Sequence, residues 1–304
     1  MIGARSIADA WRQFWHAPID AAPLALFRQA WAWTALIYFG SWARFAPEWL
    51  TEAGYHPPAS LDPSHAAQLP LLPEWSLPLV GVLFFGSLLA YIFGFARRYT
   101  VWVLLAGAVY AMLVDPISAF TINRLFVIGW LILAVAPESP AEDPAESSTD
   151  MPAESSGGGP VQRAWPTRML QLTVVGQYFA SGLCKALHGD WWVGEDVLWM
   201  QMQGVYMTDA AAWMLRVFPD WAWDRLEDAA LWFELLAPLM FGVRRLLPLA
   251  IIAGLGMHLI IALTMDQLIY FSLQMMCFYI LFLPSAWCRR LLGPGEARAV
   301  GEGE

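Results

Sequence analysis

One side chain in this sequence stands apart by type. Of the 17 basic residues, Lys185 is the single lysine and all the others are arginine. Arginine keeps its charge at every accessible pH, whereas a lysine stripped of water is pushed towards a neutral amine that can accept a proton. Lys185 also lies on a polar stripe. At 100° per residue, Gln171, Tyr178, Ser181, Lys185 and His188 fall within an arc of about 100° on one helix. Glu234, four residues before Pro238, interrupts a second apolar run, and His258, Gln274 and the pair Asn123–Arg124 interrupt three more. Ionisable groups in such runs are costly and are read as functional. The chemistry they suit is proton transfer, with Lys185, His258 and Glu234 as catalytic groups and Tyr178, Ser181, Asn123, Arg124 and Gln274 as ligand contacts.

Each residue also has a plainer reading. Lys185 snorkels to a membrane surface. Glu234 joins Arg124 or Lys185 in a pair that holds helices together, and His258 and Gln274 hydrogen-bond between helices. If Lys185 is the partner of Glu234, its ammonium form is favoured and its role as a base weakens. His56 and His65 lack metal-like spacing, Cys184, Cys277 and Cys288 form no CxxC, and no metal is expected.

The elements that carry these groups follow from composition. The 304 residues are 58% apolar and 14% charged, with 18 tryptophans, and mean hydropathy is +0.48. Soluble domains carry about 25% charged residues, so disorder, a disulfide scaffold and an ordinary cytosolic enzyme are excluded. An all-α, polytopic membrane bundle is expected. Eight apolar segments near 20 residues long can be placed, at 24–45, 76–96, 99–115, 117–137, 166–187, 228–243, 246–265 and 268–284. Arg5–His16 reads as an amphipathic helix with Ile7, Trp11, Phe14 and Trp15 on one side. The organisation is 1–137 with four spans, a disordered acidic linker at 138–165, 166–290 with four more spans, and a tail at 291–304. The linker holds six of the acids behind the net charge of −9, and no basic field for nucleic acid exists.

Eight spans place Arg97/Arg98, Arg244/Arg245 and Arg289/Arg290 on one side. The positive-inside rule makes that side cytoplasmic, with both termini, in a bacterial-type inner membrane. Two tryptophan-rich segments, Ala46–Trp75 and His188–Glu227, then face outward and suit the membrane surface. With 1.5 Å of rise per residue, Glu234, His258, Gln274 and Asn123/Arg124 lie about 9–10 Å from the outer ends of their spans, and Lys185 is nearer still. A shared outer layer of polar groups is expected.

Residues Tyr178-Phe179-Ala180-Ser181-Gly182-Leu183-Cys184-Lys185, followed by Gly189-Asp190-Trp191-Trp192-Val193-Gly194, resemble the YxxxGxxK…WxxG signature of the HTTM family. That family shares its membrane domain with vitamin K-dependent gamma-carboxylase. Phe14–Trp31, Glu52-Ala53-Gly54 with Pro57, the Glu234-x-x-x-Pro238 step and Met257-His258-Leu259 agree in order and spacing. The resemblance implies that Lys185 is the base that deprotonates a vitamin K-type hydroquinone, with Trp191 in the ligand site. Two departures narrow it. Arg124 stands where the carboxylase has a histidine after the asparagine, and the large extracytoplasmic domain that recognises peptide has no counterpart, so peptide carboxylation is not expected.

Two functions follow. The first is a quinone-linked membrane enzyme, a lyase or oxidoreductase, with the bilayer and a lipid-soluble quinone as partners. The second is a non-catalytic protein that binds lipid or quinone, or assists the maturation or export of a partner protein or peptide on the outer side.

Overall fold

The computed structural model describes residues 4–137, 161–188, 191–192 and 196–299. The acidic run 138–160, and Gly189, Asp190, Val193 and Gly194 of the tryptophan motif, lie outside the described residues. The chain is mostly helical: α1 Ala4–His16, α2 Ala22–Trp42, α3 Ala46–Leu50, α4 Leu77–Ile92, α5 Arg97–Val114, α6 Thr121–Val135, α7 Trp165–His188, α8 Val197–Met202, α9 Asp209–Val217, α10 Asp220–Gly242, α11 Leu247–Thr264, α12 Leu268–Tyr279 and α13 Ser285–Ala299. Among the described residues there are also two short strands, β1 Pro18–Asp20 and β2 Val161–Arg163.

Among the described residues, three helices are long and apolar enough to cross a membrane: Glu74–Ile92, Arg97–Val114 and Leu247–Thr264. A fourth qualifies if Leu268–Phe282 and Ser285–Leu292 count as one broken span. These helices keep bulky apolar side chains on their outsides, Leu79, Val82 and Leu83 on α4 and Leu249 and Ile252 on α11. Exposed apolar patches of that kind mark an apolar or macromolecular neighbour.

The fold divides into two compact units, residues 1–169 with 283–304, and residues 170–282. In the first, the core is aromatic. Trp31 of α2 is fully buried, stacks on Phe27 at 5.2 Å and meets Phe126 of α6 at 5.0 Å. Arg97 Nε donates to Tyr91 O at 3.0 Å and ties the turn between α4 and α5, where Gly94 has φ +84°. β1 and β2 pair antiparallel with Ile19 opposite Gln162. Asp20 accepts from the Ala22 amide at 2.9 Å and pairs with Arg289 of α13, which packs on α2.

Three boundaries differ from the sequence reading. Residues 161–165, placed there in the linker, form β2 and the first turn of α7, because Pro18–Asp20 offers an edge to pair with and the Ala17 carbonyl accepts from Ala164. α10 begins at Asp220, eight residues before the expected span, since Asp220 supplies an acid at the helix start where the macrodipole favours it. α13 carries helix through the expected tail to Ala299. The second unit contains the groups of chemical interest and is described next.

Candidate functional site

The stripe on α7 is organised by heptad spacing. Gln171, Tyr178 and Lys185 are seven residues apart, about two turns or 10 Å along the axis, and each finds a polar partner within the second unit. Gln171 donates through Nε2 to the Leu281 carbonyl at 2.7 Å. Tyr178 and Lys185 meet side chains of other helices. Ser181 is half-buried and His188 is exposed.

The Lys185 ammonium donates to Glu234 Oε1 at 2.8 Å, so the partner of Glu234 is the lysine. On another side the ammonium sits 4.2 Å from the centre of the Trp191 ring. Carboxylate and indole face are both partners of a cation. Glu234 is almost wholly buried, while Lys185 keeps 25% of its side chain exposed. The second carboxylate oxygen, Oε2, is buried with no hydrogen-bond partner among the described residues.

Two backbone features bring the pair together. Gly182 lies one turn before Lys185 and directly against α10, where a Cβ would stand 2.8 Å from Glu234 Cβ and 2.8 Å from Leu235 N. Only hydrogen fits there, and α7 approaches α10 closely. Pro238 lies within α10 and has no N–H to bond the Glu234 carbonyl four residues earlier.

A second polar cluster lies deeper. The Tyr178 hydroxyl is 2.6 Å from His258 Nε2 and 2.5 Å from the Tyr279 hydroxyl. A phenol carries one proton, so the three groups form one directional chain. His258 is 1% exposed, and its Nδ1 has no partner among the described residues. Apolar rings enclose the chain: Phe233 lies edge-on to Tyr178 at 5.1 Å, and Phe241 stacks on Tyr178 at 6.2 Å and on Tyr279 at 6.0 Å. Phe233 and Glu234 are neighbours on α10, so the two clusters adjoin.

Of the other expected site residues, Gln274 is fully buried on α12. Asn123 and Arg124 belong to the first unit. Asn123 accepts from the Tyr38 hydroxyl at 2.7 Å, and Arg124 is exposed in the first turn of α6. Among the described residues, no group of three or more histidine, cysteine or acidic side chains could hold a metal ion.

Sequence reasoning missed Tyr279 and Glu227. Tyr279 sits in an aromatic-rich helix where a tyrosine reads as core; its signal is Gly254, which leaves room for the phenol on α11. Glu227 precedes the sixth expected span. It is 5% exposed, accepts from the Leu198 amide through Oε2 at 3.2 Å, and its Oε1 has no partner among the described residues. Burial pushes its carboxyl above the usual range; the Leu198 N–H opposes this, and Asp196, Asp224 and Asp228 add to the rise.

No protein-family model, no curated protein and no solved structure matches this chain.

Proposed function

We propose that this chain is a multi-pass protein of a bacterial-type cytoplasmic membrane, of the HTTM kind, that takes a proton from a lipid-soluble hydroquinone at the Lys185–Glu234 pair. The eight-span arrangement is part of the reading. α2 and α7 have 21 and 24 residues, about 30–36 Å of helix and enough to cross a bilayer, and α10 enters it with residues 228–242, its charged opening turns with Asp220, Asp224, Arg225 and Glu227 staying outside. Their lower hydropathy comes from polar groups, Arg28 and Gln29 on α2, Gln171 and Lys185 on α7, and Glu234 with the charged first turns on α10. Lipid around α4 and α11 accounts for their exposed leucines, isoleucine and valine.

One observation carries the functional reading: a carboxylate held on one oxygen by the only lysine, with its other oxygen buried and without a hydrogen-bond partner among the described residues. An unmet acceptor of this kind is unfavourable until a donor arrives. A hydroquinone hydroxyl donates to Glu234 Oε2 and passes its proton there. The carboxyl becomes neutral, and the Lys185 ammonium turns from it to the phenolate oxygen. One proton moves and the charge of the site is conserved, and the ammonium turns beside the Trp191 ring face. The base is therefore the pair, with Glu234 taking the proton and Lys185 stabilising the anion. Peptide carboxylation is not part of the proposal.

Organic extracts of the purified protein, analysed by mass spectrometry, test this. Wild type should carry a quinone near one per chain, and Lys185→Met and Glu234→Gln should carry much less. Wild type without quinone, or variants that retain it fully, would refute the assignment.

A further inference from the structure

α9 divides into three sectors. At 100° per residue, Ala211, Met214 and Leu215 make one face, packed into a cluster with Met202 and Trp223. Trp213 and Val217 make a second, and they are 53% and 56% exposed. Asp209 and Arg216 make a third sector, exposed and charged. The bulky apolar sector and the charged one are neighbouring sectors on the side away from the packed face, with centres about 70° apart. That sorting suits a helix lying in the plane of a membrane interface, with one flank in lipid and one in water.

The neighbouring loop has the same character and is held firmly. Val205 is 93% exposed, and Tyr206 and Met207 are exposed beside it. Three hydrogen bonds tie this segment to the end of α11: Thr208 N–H to Thr264 O at 3.3 Å, Thr208 Oγ1 to Leu263 O at 2.7 Å, and Asp266 N–H to Tyr206 O at 2.7 Å. The exposed apolar face of α11, with Leu259 and Leu263, runs up to that junction. The apolar surface is therefore continuous from a candidate span onto α9.

We infer that α9 and the Val205–Met207 loop are immersed in the membrane interface at the Thr264 end of α11, with Trp213 and Val217 in lipid and Asp209 and Arg216 in water. This rests on the membrane reading of α11. The occupant is lipid held by apolar contact: Asp209, Asp220 and Asp224 accompany Arg216 and Arg225, so no basic field draws anionic headgroups.

The test uses the full chain in vesicles of phosphatidylcholine and phosphatidylglycerol. Cys184→Ser removes the exposed native thiol, and Cys277 and Cys288 are buried. Nitroxides are placed singly through Trp213→Cys, Val217→Cys, Asp209→Cys, Arg216→Cys and, on α11, Ile252→Cys. Collision with oxygen, which concentrates in lipid, is compared with collision with an aqueous nickel chelate. The expected result is a several-fold preference for oxygen at 213, 217 and 252, with nickel preferred at 209 and 216. A lipid profile at 252 with an aqueous profile at 213 and 217 overturns this inference alone. Exclusion of both reagents at 213 and 217 also overturns it, because a protein surface then covers the sector. An aqueous profile at 252 overturns the membrane reading itself.

Discussion

Gly182→Ala strikes the contact that assembles the site. The added Cβ would stand 2.8 Å from Glu234 Cβ, 2.8 Å from Leu235 N and 3.0 Å from Glu234 C, whereas ordinary contact begins at 3.4 Å. Two of those atoms are backbone and cannot swing aside, so α10 must retreat by roughly 0.6 Å, an overpacking that costs about 1–3 kcal/mol. Glu234 retreats with it. The 2.8 Å contact with Lys185 is then stretched towards the limit of a hydrogen bond, and part of a charge-assisted bond worth about 1.5–3 kcal/mol is lost. Alanine returns about 1 kcal/mol through its helix propensity. The net loss is about 1–4 kcal/mol. Gly176 on the same helix supplies the control, since a Cβ there meets nothing within 4 Å. Gly176→Ala should be stabilising by up to about 1 kcal/mol. Equilibrium unfolding by SDS titration in mixed micelles, followed by circular dichroism, measures both. A Gly182→Ala protein as stable as Gly176→Ala would refute the close packing of α7 on α10.

The remaining outcomes follow from the same geometry. Lys185→Met leaves a buried carboxylate without its partner and should destabilise by about 2–4 kcal/mol, below the fully buried case because Lys185 is 25% exposed; Lys185→Met with Glu234→Leu should recover most of the loss in the same titration. A Cβ on Gly254 would fall 1.9 Å from the Tyr279 hydroxyl and 2.7 Å from its ring; Gly254→Ala should therefore be severe, and less so on a Tyr279→Phe background, a non-additivity that a double-mutant cycle reads. The raised carboxyl of Glu227 favours the folded state while it is protonated. Its stabilisation is full below the usual glutamate range and is lost as pH rises through the raised folded value, so Glu227→Gln should flatten unfolding midpoints measured from pH 4 to 8.

The sequence exposed the stripe on α7 because polar residues at helical spacing contrast with an apolar background. α5, α7 and α11 begin and end within two residues of their expected bounds for the same reason. Glu234 was legible as an intruder, but its partner was not: spacing along one chain does not say which of two cations a carboxylate meets. Tyr279 was hidden because an aromatic residue looks alike in a core and in a hydrogen-bonded chain. Glu227 was hidden because α10 starts eight residues earlier than hydropathy alone suggests, leaving a buried carboxylate in what reads as a loop. β1 and β2, three residues each, are fixed by each other across more than a hundred residues, a contact that local pattern does not encode.

The central claim, that the Lys185–Glu234 pair takes a proton from a hydroquinone, is tested most directly by absorption. Under anaerobic conditions at neutral pH, a short-chain naphthohydroquinone is added to the purified protein in lipid nanodiscs, with wild type compared with Glu234→Gln. The account requires the spectrum of the hydroquinone anion to appear with wild type and to saturate near one per chain. With Glu234→Gln only the neutral form should be seen. A neutral spectrum with wild type, or an anion that forms equally well with Glu234→Gln, would contradict it.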